Sequence, residues 1–143
     1  MPPAHSGAHT KPMLADRLST AINHHDLDAF VACFHPDYAS EQPVHPGRVF
    51  RGSDQVRRNW AAFFQEIPDI TAELLTAAVD QEATELSEWH WHGTRLDGSQ
   101  FDMRGVTIMG TAQGLIIWAR LYMEPVDRSD EGIDEAVQTL TRR

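Results

Sequence analysis

A single cysteine, Cys33, is all the sulfhydryl chemistry this chain has. With nothing to pair with, it excludes an internal disulfide framework and the small secreted scaffolds that depend on one. Positive charge is also scarce: 12 Lys plus Arg stand against 21 Asp plus Glu, for a net charge of −9 and a pI near 5.2. Affinity for nucleic acid comes largely from neutralising phosphates with a basic face, so no nucleic-acid partner is expected. An anionic membrane surface is disfavoured for the same reason. Long apolar runs are missing, and none approaches the roughly 18 residues that suggest a bilayer span. Residues 1–11 (MPPAHSGAHTK) lack the apolar stretch of a signal peptide. The expectation is a cytoplasmic protein without membrane association.

What is present is one domain's worth of ordinary globular sequence, 143 residues with 41% hydrophobic and 23% charged. Residues 1–11 have no hydrophobic period and are expected to form a flexible tail. Leu14, Leu18, Ala21 and Ile22 then recur at the spacing of one helix face, with a break at Asn23-His24-His25. Asp26 is placed to cap a second helix that buries Leu27, Phe30, Val31 and Phe34 and stops at Pro36. His24, His25 and Asp26 read as capping and turn chemistry. Two prolines and two glycines over 38–52 predict a short strand, a loop and another extended piece. Ser53 caps a third helix whose stripe is Val56, Trp60, Phe63 and Phe64, and Ile67-Pro68 ends it.

The remainder is strand-like. Ile70 to Val79, Leu86 to Thr94, Phe101 to Met109 and Leu115 to Met123 are four extended runs, turned by Asp80-Gln81-Glu82, Asp97-Gly98 and Gly110 to Gly114. Pro125 ends the last. Residues 127–143 are polar with sparse apolar positions (Ile133, Val137, Leu140) and are expected to be a tail with a short helix. Helices followed by hairpin-linked strands give an α+β class, with the helices covering one face of the sheet. Cys33 reads as buried packing.

The order of these elements, with the phrases NHHDLDAFVACFHPDY, FRGSDQVRRNWAAFFQEIPDI, EWHWHGTRLDGSQFDMRGV and GLIIWARLYMEPV, resembles the SnoaL-like branch of the nuclear transport factor 2-like superfamily. The resemblance runs from about Leu14 to Val126, within a single domain expected over residues 12–126. It implies a cone, a strongly curved mixed sheet wrapped around the N-terminal helices and enclosing a pocket. It also implies a homodimer through the convex face of the sheet. Ketosteroid isomerases, limonene epoxide hydrolases, polyketide cyclases and non-enzymatic proteins share this fold, so the site has to decide the function.

By the same resemblance, the general-base position of ketosteroid isomerases looks like Gln42, an amide with no proton to exchange near neutral pH. Their second acid would fall at Val106 or Thr107, neither of them an acid. The carboxylate pair of limonene epoxide hydrolases looks like Glu88 and His90, and the last-strand acid looks like Leu121. Glu88 and His90 lie two apart and share a strand face, so they are the candidate catalytic pair, a carboxylate beside a general base. Alternation leaves two orientations open. Either Trp89 and Trp91 face the core, or Glu88 and His90 face the pocket with the tryptophans on the convex dimer face, as the resemblance favours. The expected pocket lining is Tyr38, Gln42, Trp60, Phe64, Met103, Thr107, Ala119, Leu121 and Met123. Arg104 and Arg120 are expected on the convex face, with Asp102 or Glu124 as partners.

Glu88, His90 and His92 spell a Glu-x-His-x-His strand pattern of metal-ligand residue types. Members of the resembled fold mostly work without metal, and no metal or cofactor is expected. Two readings of function remain. One is a protein that takes an apolar, oxygenated small molecule and does acid–base chemistry on it, of cyclase, isomerase or hydrolase type. The other is a non-catalytic ligand-binding or dimerisation module.

Overall fold

The computed structural model describes residues 13–142, so the N-terminal tail expected at residues 1–11 lies outside the described residues. In chain order the elements are α1 (Leu14–Asn23), α2 (Leu27–Val31), β1 (Phe34–Glu41), β2 (Phe50–Arg51), α3 (Ser53–Glu66), β3 (Thr71–Val79), β4 (Thr84–Thr94), β5 (Gln100–Ala112), β6 (Leu115–Pro125) and α4 (Ile133–Thr141). The strands form one curved, unclosed sheet in the order β2-β1-β6-β5-β4-β3. All neighbours are antiparallel except β1 and β6, which run parallel and make the sheet mixed. Helices α1 to α3 pack on its concave side, and the core is built where they meet it.

Helix α1 buries the stripe that its spacing predicts, Leu14, Leu18, Ala21 and Ile22. Its last residue does a second job: Asn23 Nδ2 donates to the Ala72 carbonyl at 3.0 Å, and Asn23 Oδ1 accepts the Ala72 N–H at 2.7 Å. β3 is an edge strand, so this amide satisfies two backbone groups the ladder leaves open. Asp26 caps α2 as expected, its Oδ1 accepting the Ala29 N–H at 3.0 Å. That helix is shorter than its apolar spacing suggests. It ends at Val31, and Phe34 and Pro36 belong to β1. Parallel pairing captures this stretch: the Ile116 N–H donates to the Cys33 carbonyl at 2.8 Å. The β1–β6 register then shifts between Phe34 and Ala39, which absorbs a proline with no N–H to give. Ser53 is the first residue of α3 rather than its cap, and Gly52 precedes it at φ +99°.

The first turn of α1 is held from far away in sequence. Glu85 on β4 is 5% exposed, and its two carboxylate oxygens accept the N–H groups of Leu14 at 2.8 Å and Ala15 at 2.9 Å. A helix leaves its first amides without internal partners and gathers positive potential there, so a buried carboxylate is the natural complement. Close approach elsewhere requires glycine. A Cβ on Gly105 would sit 1.9 Å from the Tyr122 carbonyl oxygen, and one on Gly110 would enter the Trp118 ring.

The C-terminal segment forms a helix, α4, that leaves Ile133 and Leu140 exposed. Among the described residues no helix is long and apolar enough to cross a membrane. Cys33 is fully buried, and burial pushes its thiol up from the ordinary range.

Replacing Glu85 with Gln keeps the shape but sets an amide NH2 against one helix N–H. Glu85→Gln is expected to lower the unfolding free energy by about 2 kcal/mol in urea denaturation. Glu88→Gln, three residues along on the exposed face, should stay within about 0.5 kcal/mol of the parent.

Candidate functional site

A cavity of about 400 Å³ lies between the concave sheet face and helices α1, α2 and α3. Most of its wall is apolar. The helices contribute Leu18, Ile22, Phe30, Val56 and Trp60, and the sheet contributes Met103, Met109, Ala119, Leu121 and Met123. Its aromatic side is continuous: Trp60 meets Phe30 at 4.4 Å between ring centroids and Trp91 at 5.3 Å, and Trp91 meets Trp89 at 6.1 Å.

The polar groups on this wall are few. Tyr38 is buried from β1 beside Ser40. Burial pushes its phenol up to about 12, against a smaller lowering by the Ser40 hydroxyl, so at neutral pH it is a protonated donor. Trp89 Nε1–H donates to Thr107 Oγ1 at 3.1 Å, which fixes that indole. The Nε1–H of Trp91 is buried with no hydrogen-bond partner. At the rim, Arg48 Nη1 donates to Gln42 Oε1 at 2.9 Å, and Asn59 lies on the facing helix. Among the described lining residues the ionisable groups are Tyr38 and Arg48.

Of the residues expected to line the pocket, Tyr38, Gln42, Trp60, Met103, Thr107, Ala119, Leu121 and Met123 do contribute to the cavity wall. Phe64 does not. It turns aside to stack on His25 at 5.4 Å, while Phe63 takes the place on the wall. The orientation expected for the candidate catalytic pair is reversed. Trp89 and Trp91 face the cavity, at 1% and 7% exposure, which puts Glu88 and His90 on the opposite, convex face of the sheet. Two indoles gain far more from burial than a carboxylate and an imidazole, which would have to be stripped of water. Nor does the structure bring Glu88 and His90 together. Glu88 Oε1 accepts from Thr76 Oγ1 at 3.1 Å, whereas His90 bonds to Glu73 and Asp102.

Sequence reading missed the cluster that His90 does join. On the convex face His90 Nε2 lies 2.6 Å from Asp102 Oδ1, His90 Nδ1 3.1 Å from Glu73 Oε1, and His92 Nε2 3.0 Å from the same Glu73 oxygen. Asp102 also pairs with Arg128. The His90 hydrogen bond, helped by the Arg128 charge and opposed by partial desolvation, holds the Asp102 carboxyl below its usual range. The arginine partners also differ from expectation. Glu124 pairs with His45 at 2.8 Å, Arg120 lies over the Trp118 ring, and Arg104 reaches toward His90. Glu73 is separated from His90 by 17 residues, and only the β3–β4 pairing, in which they are opposite partners, would have revealed it.

A curved mixed sheet closed by three helices over an apolar cavity defines the cone of the nuclear transport factor 2-like class. The SnoaL-like domain model matches residues 15–119, and the chain belongs to that family. Among curated proteins none matches the sequence. Solved structures agree on the fold. A protein with a ketosteroid isomerase-like fold from Catenulispora acidiphila, solved in complex with trimethylamine, is 16% identical with a TM-score of 0.67, over 79% of this chain and 86% of the other. An NTF2-like protein from Exiguobacterium sp. 255-15 is 19% identical with a TM-score of 0.66, over 80% of this chain and 100% of the other. TsrD from Streptomyces laurentii is 19% identical with a TM-score of 0.66, over 78% and 85%.

The two cavity indoles differ in one respect, and this gives a test. Trp89→Phe strands the Thr107 hydroxyl, whereas Trp91→Phe removes a donor that has no partner. Trp91→Phe is expected to cost about 1 kcal/mol less than Trp89→Phe in chemical unfolding.

Proposed function

We propose that this SnoaL-like protein binds an apolar small molecule carrying at least one acceptor oxygen, and that binding rather than general-base catalysis is the task of its cavity. The observation that carries the reading is the cavity of about 400 Å³, whose wall is mostly apolar and whose described lining residues include no carboxylate or imidazole. Trp91, one of the lining residues, also has a buried Nε1–H with no partner, and a ligand oxygen that reached it would recover about 1–3 kcal/mol. Tyr38 supplies a second donor from β1. Arg48 at the rim suits a ligand whose polar end points outward. Acid–base chemistry by Glu88 and His90 on an enclosed ligand is not supported, because the sheet stands between them and the cavity. The reading includes a cytoplasmic location, which rests on composition and charge.

Three cavity tryptophans make binding directly observable. Titrating cyclic ketones, terpene epoxides and polycyclic phenols against intrinsic fluorescence is expected to give saturable quenching for at least one of these classes. Leu121→Trp, which fills the cavity, should abolish it. Tyr38→Phe should weaken an oxygenated probe about 5-fold, the worth of roughly 1 kcal/mol. Quenching that persists unchanged in the filled variant, or none with any class, overturns the reading.

The proposal extends to a homodimer through the convex sheet face. It is supported by Leu86 and Val106, exposed on that face at 44% and 41%. Sedimentation equilibrium is expected to show a dimer, and Val106→Glu should shift it to monomer. A monomeric parent at tens of micromolar sinks this part.

A further inference from the structure

We propose that Glu73, His90 and His92 form a binding site for a divalent transition metal of the zinc type on the convex face of the sheet. One ligand atom from each lies within 4.8 Å of the others. Glu73 Oε1 is 3.1 Å from His90 Nδ1 and 3.0 Å from His92 Nε2. Tetrahedral zinc with bonds of about 2.0–2.1 Å sets its ligand atoms roughly 3.3 Å apart, so small side-chain shifts would admit the ion. Two imidazoles and one carboxylate are borderline donors that suit zinc, cobalt or nickel better than magnesium or calcium. Three protein donors leave a fourth position for water.

Hydrogen bonding orders the donors at this point. The Nε2 of His90 contacts Asp102 Oδ1 at 2.6 Å, which leaves Nδ1 as the ring nitrogen that faces Glu73 Oε1 at 3.1 Å. Asp102 stands where an outer carboxylate orients a ligating histidine and fixes its tautomer. It is anchored in turn by Arg128. The donors sit on paired strands rather than loops, with Glu73 opposite His90 and Thr71 opposite His92, so the spacing is set in advance. On binding, any proton on Nδ1 of His90 or Nε2 of His92 leaves to solvent, and the metal takes the lone pairs.

Arg104 is the competitor. Its Nη2 lies 3.4 Å from His90 Nδ1, a long contact from an exposed side chain, and its charge opposes a metal ion. Removing it should tighten binding.

The test is calorimetric titration of zinc chloride into the full chain after chelator treatment, repeated with cobalt to read the visible d–d absorption of a tetrahedral site. The expected result is one saturable site per chain, about micromolar or tighter, with a zinc-dependent rise in melting temperature. His92→Ala and Glu73→Gln should each weaken binding at least 10-fold and remove the rise in melting temperature. Asp102→Asn should weaken binding about 10- to 100-fold, Glu88→Gln should leave it unchanged, and Arg104→Ala should strengthen it. All five positions are outside the cavity, and each variant's fold is checked by circular dichroism and by melting without metal. No saturable binding up to millimolar zinc overturns the proposal. So does binding of parental strength in folded His92→Ala and Glu73→Gln, which would put the metal on histidines elsewhere in the chain.

Discussion

Two tryptophans two residues apart on one strand leave the sheet little choice. Side chains alternate across a strand, so Trp89 and Trp91 must share a side, and within one chain it is the inner side that buries both. Hydrogen-bond register transmits that choice outward. Trp91 stands opposite Met103 on β5 and Ala72 on β3, and Thr107 stands opposite Leu121 on β6. The same parity therefore runs through four strands. It gives the cavity its aromatic and thioether wall, and it sends Glu88, His90 and His92 outward together. The chemistry of both faces follows from where two indoles had to go.

This division of labour separates charge from enclosure. The inner wall offers hydrogen-bond donors in an apolar setting, which favours ligands that are mostly hydrocarbon with sparse oxygen. The outer face carries the titratable groups in a partly solvated network, where His90 and Asp102 keep only 17% and 13% of their side chains exposed. Such a network is only partly desolvated, so its hydrogen bonds hold the donor geometry while Glu73 and His92, at 50% and 39% exposure, stay open to solvent ions.

The helical stripes, the turns at Asp80 and Asp97-Gly98, and the four long strands are legible in the sequence because each depends on local period and turn chemistry. What is not legible depends on pairing. Phe34 keeps helical spacing with Phe30, yet capture by β6 turns it into a strand residue. The faces of β4 could be read either way from alternation, and the family pattern pointed to the wrong one. A shift of one residue in alignment exchanges the two faces completely. Most of the cavity lining was still within reach, since on β5 and β6 parity and apolar character agree at Met103, Ala119, Leu121 and Met123, and parity alone adds Thr107. Glu73 and Glu85 left no trace in the sequence, because an isolated glutamate on a strand looks the same whether it meets solvent, a histidine pair or a helix end.

The Glu85 clamp has a consequence for how the chain is made. Leu14 and Ala15 receive their carboxylate from a residue 71 and 70 positions later. On a ribosome, the first helix therefore emerges with its leading amides open to water and stays so until the fourth strand has been synthesised. A short helix of 10 residues is marginal by itself. Its commitment to the native state is thus deferred until the middle of the sheet exists, and early synthesis yields a helix that frays and re-forms rather than a fixed nucleus.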